Sequence, residues 1–277
     1  CDVGSLPFFL TNMYKVVLIT GGSSGIGKAI GEYLTTKGYV VYGTSRDKSK
    51  YPNSKFKLLT LDVTNNDHIR SSVKYVVEKE GRLDVLVNNS GVGITGPLEE
   101  IPEEEIHKHF RTNFHGPINM IKSVLPTMRD QKKGLIINIT SIAGYVGSPY
   151  RSVYSAGKAA LDMISETLNM ETKEFNINVV SLAPGDYLTN IPKGRYHSPI
   201  KENSPYQESY KKGLDIMNKH IDSGADPKII GHLVYKILNT KKPKKKYLSG
   251  SFIESLAPFL KFILPQRLFE YIVMKNY

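Results

Sequence analysis

Apolar runs and amphipathic stretches alternate along most of the chain. The first run, residues 14–20, is continuous and rich in β-branched side chains, which is typical of a strand buried on both faces. Residues 26–37 follow with helical spacing, and Gly38 is well placed to end that helix. The same alternation predicts strands at residues 39–45, 56–61, 83–88, 135–140 and 177–182, and helices at 67–80, 102–128 and 152–175. We expect Pro117 to bend the second of these helices.

This order of elements predicts a Rossmann-type, doubly wound parallel sheet in a single three-layer α/β/α domain. Residues 13–277 are assigned to that domain, and residues 1–12 to a leader or a non-native extension. Past residue 182 the alternation stops. The polar, proline-containing residues 190–225, with a helix near 206–221, predict a flap over the ligand site. Residues 251–277 predict an apolar C-terminal tail, interrupted at Pro258 and Pro265.

The formal net charge of +11 is concentrated in the C-terminal third, where residues 193–246 carry 13 Lys or Arg against 5 Asp or Glu. A solvated surface, attraction of an anionic cofactor and contact with an acidic membrane surface remain open. Nucleic-acid binding is disfavoured, because no helix-turn-helix, zinc or RNA-recognition pattern accompanies the charge. No run of 18 apolar residues predicts a transmembrane helix. Cys1 is the only cysteine, so we expect no disulfide, no metal site and a cytoplasmic location.

A glycine-rich turn directly follows the first predicted strand. Its spacing is T-G-x-x-x-G-x-G, and the residues assigned to cofactor binding are Thr20, Gly21, Ser23, Ser24, Gly25, Ile26 and Gly27. Glycine permits a tight turn and a close approach of a pyrophosphate to the backbone, and the N-terminus of the following helix attracts anions. The turn therefore predicts a nucleotide-binding site.

The end of the second predicted strand bears on the choice between the two nicotinamide cofactors. An acidic residue about 20 positions past the glycines usually binds the ribose 2′-hydroxyl of NAD. Here Arg46 stands at the strand end, and Asp47 follows one position later. The planar guanidinium of Arg46 suits a 2′-phosphate, which favours NADP(H) over NAD(H). A solvated arginine beside Asp47 is the alternative.

Two further polar segments end predicted strands. Asp62 and Val63 end the third strand, where they would either meet an adenine or only cap the following turn. Asn89, Ser90 and Gly91 end the fourth strand, either as a binding segment or as an ordinary Asn-Gly type of turn. Ligands of such sheets bind beyond the carboxyl ends of the strands, so both segments are candidate cofactor contacts.

Tyr154 and Lys158 lie one turn apart on the same face of a predicted helix. A nearby ammonium favours the phenolate and lowers the pKa of a tyrosine, which makes the phenol usable as an acid or base. Four other Tyr-x-x-x-Lys pairs occur in the chain, so the spacing alone proves little. Only this pair has suitable surroundings. Ser141 follows the fifth strand, and Asn113 lies beside the predicted bend at Pro117.

Together these residues resemble the short-chain dehydrogenase/reductase superfamily over nearly the whole chain from Met13. The matched segments are TGGSSGIG at 20–27, Asp62-Val63, NNSG at 88–91, Asn113, Ser141, YSAGK at 154–158, and Pro184-Gly185 with Thr189. Two positions depart from the family pattern, since Ser90 replaces the usual alanine and Ser24 replaces the basic residue of many NADP-preferring relatives. The C-terminal KYLSG and LPQRLFEYIV segments resemble, more loosely, the 17β-hydroxysteroid and retinol dehydrogenase-like branch.

The resemblance implies a four-residue catalytic set. Tyr154 would donate a proton to a carbonyl oxygen during reduction, and Lys158 would lower the pKa of that tyrosine and hold the nicotinamide ribose. Ser141 would orient the carbonyl, and Asn113 would bind a water that relays protons. Pro184, Gly185 and Thr189 would contact the nicotinamide end of the cofactor. The resemblance also implies a homodimer or homotetramer paired through the long helices.

The expected substrate is a hydrophobic steroid-, retinoid- or lipid-like carbonyl or alcohol. The side chains that would line its pocket are Tyr187, Ile191, Pro192 and Tyr196 in the flap, and Phe252, Leu256, Phe259, Leu260 and Phe262 in the tail. The alternative for these side chains is that they only pack the flap. Rival functions are a 3-oxoacyl reductase served by an acidic carrier protein, and a non-catalytic regulatory protein that binds the cofactor. The Lys-rich loop at 241–246 and the apolar tail also leave contact with a membrane surface open.

Overall fold

Successive residues of the first strand, β1 (Val16–Ile19), pack into two different cores. Val17 and Ile19 belong to a cluster on one face of the sheet, and Val16 and Leu18 belong to a cluster on the other. Because the side chains of a strand point alternately to opposite faces, both faces of the sheet must be covered. The buried first strand predicted from the apolar run is confirmed.

The computed structural model describes residues 14–188 and 194–275. The strands that follow β1 in those residues are β2 (Val40–Ser45), β3 (Lys57–Thr60), β4 (Val85–Asn88), β5 (Ile94–Thr95), β6 (Gly134–Ile139), β7 (Ile177–Pro184), β8 (Tyr196–His197) and β9 (Lys246–Ser249). Seven of them form one parallel sheet in the order β3-β2-β1-β4-β6-β7-β9, while β5 and β8 pair separately. The direction of winding reverses between β1 and β4. The doubly wound fold is therefore confirmed.

Helices cover both faces of this sheet. In chain order they are α1 (Gly25–Thr36), α2 (Asn66–Glu80), α3 (Glu103–Phe110), α4 (Gly116–Asp130), α5 (Ser152–Glu171), α6 (Gln207–Asp222), α7 (Lys228–Leu238), α8 (Phe252–Ile263) and α9 (Gln266–Lys275). Ile30 of α1 and Val234 of α7 are fully buried in one core, and Val76 of α2 and Met120 of α4 in the other. No helix in the described parts of the chain has the length and apolar character needed to cross a bilayer.

The helical stretch predicted over residues 102–128 is two helices joined by a π-helical turn. That wide turn, Arg111–His115, separates α3 from α4. Pro117 has no N–H group and cannot donate the hydrogen bond that the carbonyl of Asn113 would accept in a regular α-helix. The bend expected at Pro117 therefore falls in the turn just before it, and Asn113 lies inside that turn.

The C-terminal region differs from the sequence prediction in two ways. Lys246–Ser249 is the seventh strand of the sheet, although the sequence pattern had placed its first residue in a basic loop. Pro258 lies inside α8 and does not interrupt it, and only Pro265 falls between α8 and α9. The basic loop and the apolar helix α8 are attached to opposite ends of β9, which is about 13 Å long at the usual rise per residue.

The edge strand β9 is fastened to α5 by a buried carboxylate. Asp162 of α5 is 7% exposed, and its Oδ1 accepts hydrogen bonds of 2.5 Å from the hydroxyls of Tyr145 and Ser181. Its Oδ2 accepts a hydrogen bond of 2.9 Å from the Nζ of Lys246, the first residue of β9. The hydrogen bonds and the ion pair compensate the cost of burying this charge.

We predict that Asp162→Ala lowers the free energy of unfolding by about 3 kcal/mol, because it removes the acceptor of two hydroxyls and of a partly buried ammonium. Urea unfolding followed by circular dichroism measures the change. Asp130→Ala removes an exposed carboxylate at the end of α4 and serves as the control, with an expected change within about 0.5 kcal/mol. Equal changes in the two variants would contradict the structural role of Asp162.

Candidate active site

A cleft of about 730 Å³ runs along the carboxyl ends of the parallel strands. It is lined by all four residues assigned to catalysis, Asn113, Ser141, Tyr154 and Lys158. It is also lined by thirteen of the residues assigned to cofactor binding: Gly21, Ser23, Ser24, Gly25, Ile26, Arg46, Asp62, Val63, Asn89, Ser90, Gly91, Pro184 and Gly185. Because every strand of the sheet points the same way, loops from distant parts of the sequence meet at this one edge.

Thr20 and Gly27 do not line the cleft, and each shapes the loops that do. The Thr20 hydroxyl accepts hydrogen bonds from the backbone N–H groups of Asn89 and Ser90, at 2.9 and 3.0 Å. It thereby joins the loop after β1 to the loop after β4. A Cβ atom on Gly27 would lie 2.5 Å from both the Asn89 Nδ2 and the Gly21 carbonyl oxygen, so only glycine fits there. Thr189, also assigned to the cofactor, lies outside the described residues.

The turn between β1 and α1 has the geometry of an anion-binding loop. Gly21 and Gly25 adopt positive φ angles of 64° and 52°, a conformation that favours glycine. The helix begins at Gly25, and the residues around its N-terminus line the cleft. Its first turn carries no acidic residue, and Ser24 makes no side-chain cap, so backbone N–H groups remain for an anion.

Arg46 follows β2 and lines the cleft. The carboxylate of its neighbour Asp47 binds other residues. The Oδ1 of Asp47 accepts hydrogen bonds from the Ser49 N–H and hydroxyl, at 3.0 and 2.6 Å. Its Oδ2 lies 3.6 Å from the Nζ of Lys50. No ion pair joins Arg46 to a carboxylate in the described part of the chain, and its charge is therefore left for a ligand.

Asp62 caps the turn after β3 and also lines the cleft. Its carboxylate accepts hydrogen bonds from the Thr64 N–H and hydroxyl, at 2.9 and 2.7 Å, and so caps the turn that follows β3. Asp62 and Val63 also line the cleft, at the end of the edge strand β3 next to β2. The cap holds this segment in place as one wall of the cleft.

Helix α5 presents Tyr154 and Lys158 to the cleft from successive turns. The Nζ of Lys158 donates a hydrogen bond of 2.8 Å to the carbonyl of Ile139, the last residue of β6, and lies 5.9 Å from the centre of the Tyr154 ring. Ser141 follows β6, and its Oγ accepts a hydrogen bond of 3.2 Å from the Ala143 N–H. The hydroxyl, the phenol and the ammonium therefore face one volume.

The electrostatic surroundings of Tyr154 favour ionisation. Burial is the largest single influence and raises the pKa of Tyr154, but the positive charge of Lys158 and three smaller effects together outweigh it, so the net pKa is below the usual value. The three smaller effects on this pKa are the charges of Arg151 and Arg195 and hydrogen bonding to Ser141. Burial also lowers the pKa of Lys158, which the nearby Tyr154 partly opposes. A phenol with a lowered pKa can give up and take back a proton near neutral pH.

The side chain of Asn113 is fully engaged with its protein neighbours. Its Oδ1 accepts a hydrogen bond of 2.8 Å from the Val92 N–H, and its Nδ2 donates one of 2.8 Å to the Val92 carbonyl. Asn113 is 1% exposed, and a Cβ atom on Gly91 would lie 3.5 Å from its Oδ1 and 3.7 Å from the Nζ of Lys158. The side chain fixes the loop after β4 next to Lys158. Any water bound by this residue would therefore have to meet its main-chain carbonyl, which Pro117 leaves without an α-helical donor.

Three residues near Tyr154 were not predicted from the sequence. Arg151 holds its guanidinium carbon 4.9 Å from the centre of the Tyr154 ring, and Arg195 lines the same wall. His109 is 2% exposed and lies beside Tyr154, with 5.9 Å between ring centres. Burial, together with the charge of Lys158, lowers the pKa of His109 to about 4, so its ring is neutral near pH 7.

Sequence signals for these three residues are weak. Arg151 stands only three positions before Tyr154, and its place at the start of α5 could have drawn attention to it. Arg195 is one basic residue among many in the flap, and it reaches the cleft because β8 pairs with β5. Gly157 is small because a Cβ atom there would lie 2.9 Å from the Nε2 of His109, and not because it faces a ligand.

The prediction that aromatic residues of the C-terminal tail line the pocket is wrong. None of them belongs to the cleft wall, and Phe252 and Phe262 are 81% and 89% exposed. In place of an aromatic side chain, α8 supplies Glu254, whose Oε1 accepts a hydrogen bond of 2.8 Å from the Asp186 N–H beside the cleft. Near the other end of α8, the Nζ of Lys261 donates a hydrogen bond of 2.8 Å to the carbonyl of Tyr145.

The residues of the flap that were predicted to line the substrate pocket have different positions. Tyr187 lines the cleft, as expected. Tyr196 does not line it and packs against the small cluster of Ile94, Ile101 and Val153. Ile191 and Pro192 lie outside the described residues.

Comparison with known proteins agrees with this geometry. The model of the short chain dehydrogenase family matches residues 15–198. A 3-ketodihydrosphingosine reductase of Bacteroides thetaiotaomicron is 40% identical over 258 residues, which are 93% of this chain and 96% of that protein. An NADPH-dependent 1-acyldihydroxyacetone phosphate reductase of Saccharomyces cerevisiae is 30% identical over 271 residues, 92% of this chain and 89% of that protein.

A solved structure gives the same result for the fold. A short-chain dehydrogenase from Streptomyces avermitilis superimposes with a TM-score of 0.78 at 32% identity, over 95% of this chain and 97% of that one. The family model covers about two thirds of the chain and includes the glycine turn, Ser141, Tyr154 and Lys158. The chain therefore belongs to the short-chain dehydrogenase/reductase family of oxidoreductases.

Proposed function

We propose that this protein uses NADPH to reduce the ketone of a lipid-like molecule to an alcohol, and that it catalyses the reverse reaction with NADP. The observation that carries the proposal is the convergence of Tyr154, Lys158 and Ser141 with the glycine turn in one cleft. The substrate class is supported by the names of the two relatives, both of which are reductases of keto lipids.

The chain's residues fit a dinucleotide that bears a 2′-phosphate. The free N–H groups at the start of α1 suit a pyrophosphate, and the positive φ angles of Gly21 and Gly25 let it approach. Arg46 would bind the 2′-phosphate, because Asp47 is held by Ser49 and does not neutralise it. The NADPH dependence in the name of the yeast relative supports this choice over NAD.

Each catalytic residue has a defined task in the proposed reaction. When bound, the nicotinamide supplies or accepts the hydride. The Tyr154 hydroxyl gives its proton to the carbonyl oxygen as the alcohol forms, and Ser141 holds that oxygen by a hydrogen bond. Lys158 stabilises the phenolate that remains, while the Ile139 carbonyl fixes the position of its ammonium. Asn113 keeps the loop after β4 in place around this ammonium.

We predict that Tyr154→Phe lowers the turnover of a keto lipid by about 10²- to 10⁴-fold, because it removes the proton donor and little else. The affinity for NADPH, measured by fluorescence titration, is expected to stay within a few fold of the native value. Tyr271→Phe is the matched control, since Tyr271 and Lys275 have the same sequence spacing on the exposed helix α9. A variant at position 154 with near-native turnover would contradict the proposed role.

The lowered pKa of Tyr154 predicts a definite pH dependence. Reduction needs the protonated phenol, so its rate is expected to be constant at low pH and to fall as the pH rises through a value below 10. Oxidation needs the phenolate and rises through the same value. Lys158→Met removes the largest of the effects that lower the pKa, so the midpoint moves to higher pH even though the maximal rate falls.

Profiles of kcat against pH in both directions measure this shift. Lys79→Met provides the control, because Lys79 follows Tyr75 at the same spacing but is exposed on α2. Its midpoint is expected to match the native protein. An unmoved midpoint in Lys158→Met would show that Lys158 does not set the pKa of Tyr154.

We predict that Arg46→Asp lowers kcat/KM for NADPH by at least about tenfold, as expected for the loss of a charge-assisted contact of about 1.5–3 kcal/mol. The efficiency with NADH is expected to hold or rise, since an acidic residue at this strand end suits a ribose 2′-hydroxyl. Arg129→Asp, on the exposed surface of α4, controls for the change in net charge. An unchanged preference in Arg46→Asp would argue against a 2′-phosphate at this position.

A further inference from the structure

The guanidinium of Arg195 is placed in the cleft without a partner for one of its nitrogens. Its Nη1 is shielded from solvent and makes no hydrogen bond. No carboxylate of the described residues forms an ion pair with Arg195. Buried charged groups in proteins normally have a counter-charge and complete hydrogen bonding, because leaving them unpaired is costly. An unpaired guanidinium nitrogen in a ligand cleft therefore points to an acceptor that comes with the ligand.

A second arginine faces the same volume. Arg151 holds its guanidinium over the Tyr154 ring at 4.9 Å and lines the cleft beside Arg195. Both arginines line one cleft, and the pKa of Arg195 is lowered first by burial and then by the positive charge of Arg151. Asp186 and Tyr154 act in the opposite direction on Arg195. An anion between the two guanidinium groups would remove this repulsion.

The two arginines belong to the substrate end of the cleft. Arg195 packs against Gly93, where a Cβ atom would lie 2.8 Å from the Cγ of the arginine. Gly93 follows the loop after β4, whereas Arg46 follows β2, and β1 separates these strands. Two strand spacings are about 10 Å, so Arg195 is remote from the position of a 2′-phosphate. It lines the same cleft as Tyr154 and Arg151, and the charge of Tyr154 acts on it.

The flap fixes Arg195 at this place. The Tyr196 N–H donates a hydrogen bond of 3.0 Å to the Gly93 carbonyl, and the Ser198 N–H donates one of 2.9 Å to the Thr95 carbonyl. These bonds pair β8 with β5 directly after Arg195. The backbone on the carboxyl side of Arg195 is therefore held by regular hydrogen bonding, and its side chain is directed over the loop that follows β4.

We propose that Arg151 and Arg195 form an anion-binding subsite for a phosphate, sulfonate or carboxylate group on the substrate, close to the carbonyl that is reduced. This inference rests on the proposed function and narrows its substrate class to keto lipids with an acidic head group. Two guanidinium groups present planar pairs of donors that match the oxygens of such groups. The same contact would fix the carbonyl beside Tyr154 and Ser141.

The test compares two ketones that differ only in one phosphate group, an acyl dihydroxyacetone and its phosphate ester. The native enzyme is expected to have at least a tenfold higher kcat/KM for the phosphate ester, the size that a charge-assisted contact gives. In Arg195→Gln and in Arg151→Gln that ratio is expected to fall to within threefold of one. The ratio is the measured quantity because it cancels any common effect of either arginine on the pKa of Tyr154. Arg267→Gln, on the exposed face of α9, is the control and keeps the native ratio.

Two further measurements distinguish a substrate-binding role of Arg195 from a cofactor-binding role and from a folding defect. Affinity for NADPH is expected to stay native in Arg195→Gln, and a large loss of that affinity with an unchanged ketone ratio would assign Arg195 to the cofactor and overturn the subsite. Arg195→Lys keeps the charge without the planar pair of donors, and it replaces Arg195→Gln in the test if that variant does not fold. It is expected to retain only part of the native ratio of kcat/KM for the phosphate ester over the neutral ketone.

The proposed function and the subsite can fail independently. If the native enzyme reduces both ketones with equal efficiency, or prefers the neutral one, the subsite is excluded while ketone reduction stands. If it reduces neither ketone, the proposed function fails. The subsite is then decided by calorimetric binding of both ketones to the enzyme loaded with NADP. Tighter binding of the phosphate ester that is lost in Arg195→Gln would support it, and equal binding would exclude it.

Discussion

The reversal of winding beside β1 is the constraint on which the site depends. The chain moves outward from β1 to β2 and β3 and then returns to place β4 on the other side of β1. The loops after β1 and β4 therefore leave the sheet in opposite directions and open a crevice between them. The hydroxyl of Thr20 holds the two loops together at the base of that crevice through the amides of Asn89 and Ser90. All seven strands of the sheet are parallel, so the polar residues that follow their carboxyl ends lie along the same crevice.

Within this crevice the protein concentrates positive charge. The positive groups include the start of α1, Arg46, Lys158, Arg151 and Arg195. Such a group of cations destabilises the fold by mutual repulsion unless an anion is present. Lys158 is 6% exposed and is held by the carbonyl of Ile139, which compensates part of the cost of its burial. Three of these charges, on Lys158, Arg151 and Arg195, lower the pKa of Tyr154, so groups suited to an anionic ligand also favour its ionisation.

The prediction from the sequence was most accurate where short-range patterns decide the structure. The glycine turn, the strand ends and the pair Tyr154 and Lys158 were assigned from spacing and from the family resemblance. Of the assigned residues that the structure describes, all but Thr20 and Gly27 line the cleft. It failed at β9, because an edge strand is half exposed and its lysine-rich start looks like a loop. It also failed for the tail, because an amphipathic helix pattern does not tell which neighbour covers its apolar face.

Local sequence was sufficient to predict the fold class, the glycine turn of the cleft and the pairing of Tyr154 with Lys158, since each depends on residues that are close in the chain or on the period of the apolar positions. Only the tertiary structure brought Arg195 next to Arg151, which lies 44 positions earlier, and left its Nη1 without a partner. It also placed His109 against Gly157 and turned the side chain of Asn113 toward the loop after β4. These contacts join residues far apart in sequence through strand pairing and helix packing, and no local pattern encodes which of many similar side chains will meet.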